Sequence, residues 1–209
     1  VKTISIPKVE ADDVIAYLSK SVITHPKDKS FIVSSDKDFL QLVDENVVVY
    51  RPMEKEYYTP QTVIDKYKLS PHNFILHKTL LGDNSDKIKG VKGLGEKGLL
   101  KKFPELIEKD MSWDDILNIC EKKISEHLVY ARIIHGRDDL EKNYKIMDLS
   151  NPMLSKKDKE WLDEIVSSKD LPYYPDQFVS MYNEDQIGGL IRNLEFWVKD
   201  CFENLVIKK

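Results

Sequence analysis

The sequence predicts an α/β fold in two parts: part of a parallel-sheet core over residues 1–58, then a mainly helical region over 59–209 with a helix–hairpin–helix motif at about 82–103. Three observations predict it. Short β-branched runs alternate with amphipathic stretches in the first part. Cap-and-proline pairs open helices in the second. A glycine-rich loop, Gly90-Val91-Lys92-Gly93-Leu94-Gly95, interrupts those helices.

Val1–Ile6 alternates apolar and polar residues as a half-buried strand does. Asp12 or Asp13 then caps a helix through about Ser21, with Val14, Ile15, Tyr17 and Leu18 on its apolar face. Phe31-Ile32-Val33 is a short buried strand that ends at Ser34-Ser35-Asp36. Phe39–Leu42 is a short helix, and Val47–Tyr50 is the third strand. Strands separated by helices imply a parallel sheet, whose ligands bind at the carboxyl ends of the strands. Thr59-Pro60 and Ser70-Pro71 each place a cap before a proline at the first helical position, giving helices at about 60–67 and 71–81. A further helix runs from Ser112 towards His135, and Ser155 caps another to about Val166. Leu171–Pro175 is a rigid connection, and a long amphipathic helix covers Asp185 to about Leu205. The aromatic residues of the last segment, Tyr173, Tyr174, Phe178, Tyr182, Phe196, Trp197 and Phe202, read as helical core.

Composition narrows the class. The 209 residues are 41% apolar, enough for a packed core, and 33% charged. No apolar run approaches the roughly 20 residues of a membrane span, and Val1–Pro7 lacks the pattern of a signal peptide. Two widely separated cysteines, Cys120 and Cys201, argue against a disulfide framework or a cysteine-rich zinc site and fit a cytoplasmic chain. The net charge of −4 does not suit a protein that coats nucleic acid. Charge is unevenly spread, however: Lys87–Lys102 holds six lysines against one glutamate.

Seven carboxylates stand in three clusters: Glu10, Asp12 and Asp13; Asp36 and Asp38; Asp83 and Asp86. The first two clusters follow strands and so converge on one rim of the sheet. Hard divalent ions prefer oxygen ligands, and a pair of such ions can activate water and stabilise the departing oxygen of a phosphodiester. Each cluster alone also reads as a polar turn or a helix start, where acids complement the dipole. Their co-occurrence in one order is what favours metal ligation. In the hairpin, glycine permits close approach of backbone to phosphate, and Lys92, Lys97, Lys101 and Lys102 add charge without reading base sequence.

Glu10-Ala11-Asp12-Asp13, Ser34-Ser35-Asp36-Lys37-Asp38-Phe39 and Gly82-Asp83-Asn84-Ser85-Asp86 followed by Ile88–Gly95 together resemble the structure-specific 5′-nuclease family. This family comprises flap endonucleases, the 5′-nuclease domain of bacterial DNA polymerase I, and phage 5′-exonucleases, including phage ribonuclease H. The motifs cover about residues 1–103. The resemblance implies that Glu10 and Asp12, with Asp13 beside them, hold one Mg²⁺ or Mn²⁺ ion. Asp36, Asp38 and Asp83, with Asp86 near, hold a second. It implies that Lys89, Gly90, Val91, Lys92, Gly93, Gly95 and Lys97 grip the unbroken duplex strand, with a K⁺ ion at the hairpin carbonyls. The implied substrates are duplex DNA with a 5′ flap or an RNA–DNA hybrid, cut during primer removal on the lagging strand alongside replication proteins. Members of the family begin with a further aspartate-bearing strand and a basic helical arch, neither of which is in this sequence. Val1–Ile6 therefore corresponds to a strand inside the family's nuclease core, and the sequence reads as the C-terminal part of a full enzyme. The alternative is a duplex-DNA-binding module without chemistry.

Overall fold

A computed structural model describes residues 3–23, 25–167, 174–186 and 189–202. The chain divides into two compact units, Ser5–Glu160 and Trp161–Lys209 with Val1–Ile4.

In the larger unit, helix α1 covers Ala11–Ser21. Glu10 takes the N-cap position in extended backbone and makes no side-chain cap bond. Neither Asp12 nor Asp13 is the cap, contrary to expectation. The helix begins before them, so both lie in its first turn, where their charge complements the dipole. Strand β1 (Ser30–Val33) runs parallel to β2 (Val47–Arg51), with Ser30 opposite Val47. Between them a 3₁₀ turn, Asp38–Leu42, buries Phe39, Leu40 and Leu42.

Two expectations about the sheet fail. Thr3–Ile6 forms no strand, since alternation alone cannot supply a ladder partner, and β1's hydrogen-bonded neighbour among the described residues is β2. Val47–Tyr50 is a strand as expected, within β2, but the sheet is not wholly parallel: an unforeseen strand, β3 (Glu56–Tyr58), runs antiparallel to β2 after a turn in which Lys55 takes φ 54°. This hairpin carries no glycine signal. One sheet face buries Ile32, Val47, Val49 and Tyr58, while Phe31 and Val33 on the other are 58% and 66% exposed.

Helix α2 (Pro60–Tyr67) starts as predicted: Thr59 Oγ1 accepts the Thr62 N–H at 3.4 Å, and Pro60 fills the first helical position. Helix α3 (Phe74–Leu81) begins three residues later than expected. Asn73 explains the delay. It is fully buried, its Nδ2 donates to the Leu106 and Lys109 carbonyls at 2.8 and 2.7 Å, and its Oδ1 accepts the Met111 N–H at 2.8 Å. A short ladder follows, β4 (Gly82–Asp83) with β5 (Ile88–Lys89). Then come α4 (Glu96–Lys102), α5 (Glu105–Glu108), α6 (Trp113–Lys122), α7 (Leu128–His135) and α8 (Arg137–Met147). The single helix expected from Ser112 to His135 is thus two. The His127 side chain accepts the Val129 N–H at 3.1 Å and opens the second. Helix α8 was not foreseen.

Two apolar clusters hold this unit together. One gathers Phe39, Leu40, Val49, Tyr58 and Phe74; the other gathers Leu76, Leu80, Phe103, Ile116 and Ile133. Helix α3 contributes to both, so the residues on it and at its end are placed by two cores at once. Helix α9 (Lys156–Ser167) closes the unit at its first turns, with Ser155 Oγ accepting the Asp158 N–H at 3.2 Å as predicted.

In the smaller unit α10 (Pro175–Glu184) and α11 (Leu194–Phe202) meet through Phe178, whose ring stacks on Trp197 with centroids 6.2 Å apart. Phe202 sits edge-on to Trp197 at 5.7 Å. Phe178, Tyr182, Trp197 and Phe202 therefore form an aromatic cluster as expected. Phe196 and Tyr174 do not join the core, being 65% and 59% exposed. The long helix expected over Asp185–Leu205 is corrected: Gln186 and Asn193 take φ of 48° and 52°, which breaks helical propagation before α11. The expectations for 171–173 and 203–205 lie outside the described residues.

Candidate metal centre and hairpin

Three local structures carry the acidic residues to one place. Glu10, Asp12 and Asp13 lie at the start of α1. Asp36 and Asp38 lie on the turn after β1, where Asp36 Oδ1 accepts the Asp38 N–H at 2.9 Å and the Asp36 N–H reaches Ser34 Oγ at 3.1 Å. Asp83 and Asp86 flank the loop of the β4–β5 hairpin, where Asp83 Oδ1 accepts the Ser85 N–H at 2.8 Å. A groove of about 620 Å³ is lined by Glu10, Asp12, Asp13, Asp36, Asp38 and Asp86. An adjoining cleft of about 630 Å³ shares Asp36 and Asp38 and adds Asp83, His77 and Lys78.

Asp38, Asp83 and Asp86 form the tightest group: one carboxylate oxygen from each lies within 4.8 Å of the others. The donors are all hard oxygens, with neither thiolate nor imidazole among them, so the set fits Mg²⁺ or Mn²⁺. Glu10, Asp12 and Asp13 line the groove outside this group. One Asp13 oxygen is occupied locally, accepting the Met153 N–H at 2.8 Å.

Electrostatics register the convergence. Burial raises the Asp12 carboxyl above the ordinary aspartate range, and the charges of Asp36, Glu10, Asp13 and Asp86 push it further in the same direction. Residues from all three clusters thus act on one carboxylate. Burial also raises Asp38; the Lys78 ammonium lowers it and Asp36 raises it further, and the net direction is upward. Asp83 is held well below the usual range, first by its bond from Lys78 and then by the Ser85 hydroxyl.

A raised acid favours the folded state below its unfolded pKa and loses that advantage as pH rises through the folded value. Asp12→Asn should therefore stabilise the protein in EDTA at neutral pH, by about 1 kcal/mol or less after solvent screening. The gain should fade as pH falls towards the range where an ordinary aspartate titrates. Urea midpoints measured from pH 4 to 8 check this, and a gain that grew on acidification would contradict it.

Lys78 is the residue that sequence reading missed. It is 6% exposed on α3, bonded to Asp38 and, at 2.8 Å, to Asp83. Burial lowers its pKa, but the bonds from the two aspartates outweigh that effect and the net direction is upward. The signal was present as a lysine inside the apolar run Phe74-Ile75-Leu76-His77-Lys78-Thr79-Leu80-Leu81, five residues before Asp83. His77, beside it, stacks on Phe74 and lies 3.6 Å from Glu96.

In the hairpin the predicted residues separate by role. Lys89, Lys92 and Lys97 are exposed, as are Gly93 and Gly95. Val91 is a core residue: its side chain is 8% exposed, its N–H donates to Leu80 O at 2.8 Å, and its carbonyl accepts the Leu94 N–H at 3.0 Å. Gly90 is required by packing, because a Cβ there would stand 2.1 Å from the Leu81 carbonyl carbon. Gly93 takes φ +82°, which favours glycine, whereas a Cβ on Gly95 would meet open space. Two further side chains pin the loop from outside it. Arg132 Nη1 donates to the Lys92 carbonyl at 2.6 Å, and Asn143 Nδ2 donates to the Lys89 carbonyl at 3.2 Å.

Residues 1–68 match the family described as "5′-3′ exonuclease, N-terminal resolvase-like domain". The chain is 37% identical over 146 residues to a 5′-3′ exonuclease of Aquifex aeolicus, an alignment covering 70% of this chain and 47% of that protein. It is 39% identical over 141 residues to the thermostable DNA polymerase I of Thermus thermophilus, covering 62% of this chain and 16% of that one. The chain thus spans less than half the length of these relatives. Among solved structures it resembles T5 5′-exonuclease with bound zinc, at TM-score 0.65 and 22% identity, over 78% of this chain and 61% of that one. A T5 flap endonuclease complex with DNA and metal ions matches at TM-score 0.65 and 21% identity, over the same 78% and 61%. These structural likenesses concern the fold.

Proposed function

We propose, from the chain's membership of the 5′-3′ exonuclease and flap-nuclease family, that it carries the acidic centre and duplex grip of a divalent-metal-dependent 5′-nuclease. The single observation that carries this reading is the convergence of Asp38, Asp83 and Asp86 within 4.8 Å, with Asp38 and Asp86 on a groove that Glu10, Asp12, Asp13 and Asp36 also line. The proposed substrates are DNA with a 5′ flap and RNA–DNA hybrids. The proposed setting is primer removal in a cytoplasm, alongside replication proteins. No helix among the described residues is long and apolar enough to cross a membrane.

In this reading Asp38, Asp83 and Asp86, with Asp36 beside them, hold one Mg²⁺ or Mn²⁺ ion, and Glu10 and Asp12 contribute to a second. Bound ions supply the Lewis acidity that activates water and stabilises a departing 3′ oxygen. The chain's own contribution is placement. The two cores that fix α3 set Asp83 at its end, and Ser85 holds one Asp83 oxygen so that the carboxylate keeps its orientation. Lys89, Lys92 and Lys97 face solvent on the hairpin and grip phosphates of the intact duplex, independent of base sequence. The proposed K⁺ site at the hairpin uses backbone carbonyls, of which those of Lys89 and Lys92 already accept from Asn143 and Arg132.

A labelled 5′-flap duplex incubated with Mg²⁺, against the same mixture in EDTA, tests the catalytic reading. Metal-dependent release of the flap supports it. Tight duplex binding with no release at any Mg²⁺ or Mn²⁺ concentration supports the binding module instead. For the grip, Lys92→Ala with Lys97→Ala should weaken duplex binding by about tenfold near physiological salt and lessen the slope of log K against log salt by about two. Equal losses for all duplex sequences are expected. Anisotropy titrations at several salt concentrations measure both, and an unchanged slope would remove these lysines from the interface.

A further inference from the structure

The three carboxylates of the tight group carry three negative charges, yet a fourth charge is built in among them. Lys78 is 6% exposed, and its ammonium bonds Asp38 on the 3₁₀ turn and Asp83 at the end of its own helix. It is tied to the centre by both cores that clamp α3, so it cannot withdraw to solvent as a surface lysine does.

The atoms it occupies matter. Asp83 Oδ1 accepts the Ser85 N–H at 2.8 Å, while Asp83 Oδ2 lies 2.8 Å from Lys78 Nζ. Both Asp83 oxygens are therefore engaged, and Asp38 Oδ1 also faces the ammonium. A divalent ion that uses Asp38 Oδ1 or Asp83 Oδ2 must share that oxygen with Lys78 or take it from the lysine. It also meets a fixed positive charge at short range, in a partly buried site where such repulsion is weakly screened.

We propose that Lys78 is a resident counter-cation and positioning residue of the acidic centre. It holds Asp38 and Asp83 together when no metal is bound, and it lowers the centre's affinity for divalent ions. With Lys78 present the group of three aspartates carries a net charge of −2, which one divalent ion neutralises. Without it, the group is a stronger trap for metal and a weaker fold. This inference rests on the metal-centre reading above.

The test uses the full chain and Mn²⁺ as probe, with calorimetric titration for affinity and thermal melting with EDTA or Mn²⁺ for stability. Lys78→Met should bind Mn²⁺ at least about tenfold more tightly, about 1.4 kcal/mol. Its melting temperature in EDTA should fall by about 5 °C or more, with most of the loss recovered on adding Mn²⁺. Lys78→Arg, which restores the charge, should return the affinity towards that of the unchanged chain. A residue with only a packing role would lower the melting temperature without tightening metal binding. If Lys78→Met proves unfolded in both conditions, Lys78→Gln, which keeps a polar head, is measured in its place.

Affinity that is unchanged or weaker in the folded variant overturns the proposal. Asp86→Asn separates the two levels of failure. If the unchanged chain binds Mn²⁺ and Asp86→Asn weakens that binding while the Lys78 variant leaves it unchanged, the metal centre stands while the role of Lys78 falls. If the unchanged chain binds no Mn²⁺, both fall.

Discussion

Asp86→Asn should lower metal-dependent cleavage of a 5′-flap duplex by about a hundredfold or more, while leaving the fold intact. The choice of residue follows from the geometry. Asp83 and Asp38 are both bonded to Lys78, so removing either charge also leaves a buried ammonium short of a partner. Asp86 is exposed, and its carboxylate belongs to the tight group of three. Its replacement removes one oxygen charge from the centre at little cost to packing. Mn²⁺ affinity should drop by about tenfold, from loss of one of three charged ligands. Duplex binding in EDTA should stay within about twofold, because the hairpin lysines are untouched. Single-turnover cleavage, Mn²⁺ titration and a urea melt separate these quantities. Unchanged cleavage together with unchanged Mn²⁺ affinity would show that Asp86 lies outside the working centre. A large fall in stability would show that its role is structural.

Much of this centre was legible in the sequence because its ligands sit on local signals. Asp36 and Asp38 follow a short β-branched strand, and Glu10–Asp13 open an amphipathic helix. Both features are decided by residues close together in the chain. The helix start at Thr59-Pro60 was readable for the same reason. What escaped was decided by distant contacts. Helix α3 begins at Phe74 because Asn73 is spent on residues 106–111. Strand β3 exists because β2 offers it an edge, and Thr3–Ile6 has the alternation of a strand without a ladder. The local signal at Lys78 does not decide its role, because a lysine in an apolar helix can equally well hold a solvated head on a snorkelling stem. Its burial is known only once α3 is seen to be clamped between two cores. The same distinction explains Val91. The family resemblance implied that Val91 joins the duplex grip, but its side chain is buried and anchors the loop to the core.

Gly90→Ala should be the most damaging single substitution in the hairpin, lowering stability by about 2–4 kcal/mol. The argument is steric. A Cβ at this position would stand 2.1 Å from Leu81 C, 2.2 Å from Leu81 O and 2.4 Å from Gly82 N. All three are backbone atoms, so no side-chain rotation relieves the overlap. Gly82 faces the same crossing from the other strand: its φ is +79°, and its own Cβ would lie 2.3 Å from Gly90 N. The two glycines let the end of α3 and the chain leaving β5 pass at backbone contact. That crossing fixes Asp83 on one side and the Val91–Leu94 turn on the other. Gly90→Ala should therefore weaken Mn²⁺ binding and duplex binding together, because both depend on this crossing. Gly95→Ala is the control, since a Cβ there meets nothing within 4 Å and its φ of −111° suits any residue. Its melting temperature should stay within about 1–2 °C of the unchanged chain. If Gly90→Ala melted with Gly95→Ala, the close crossing would not be what holds the metal centre and the hairpin in register.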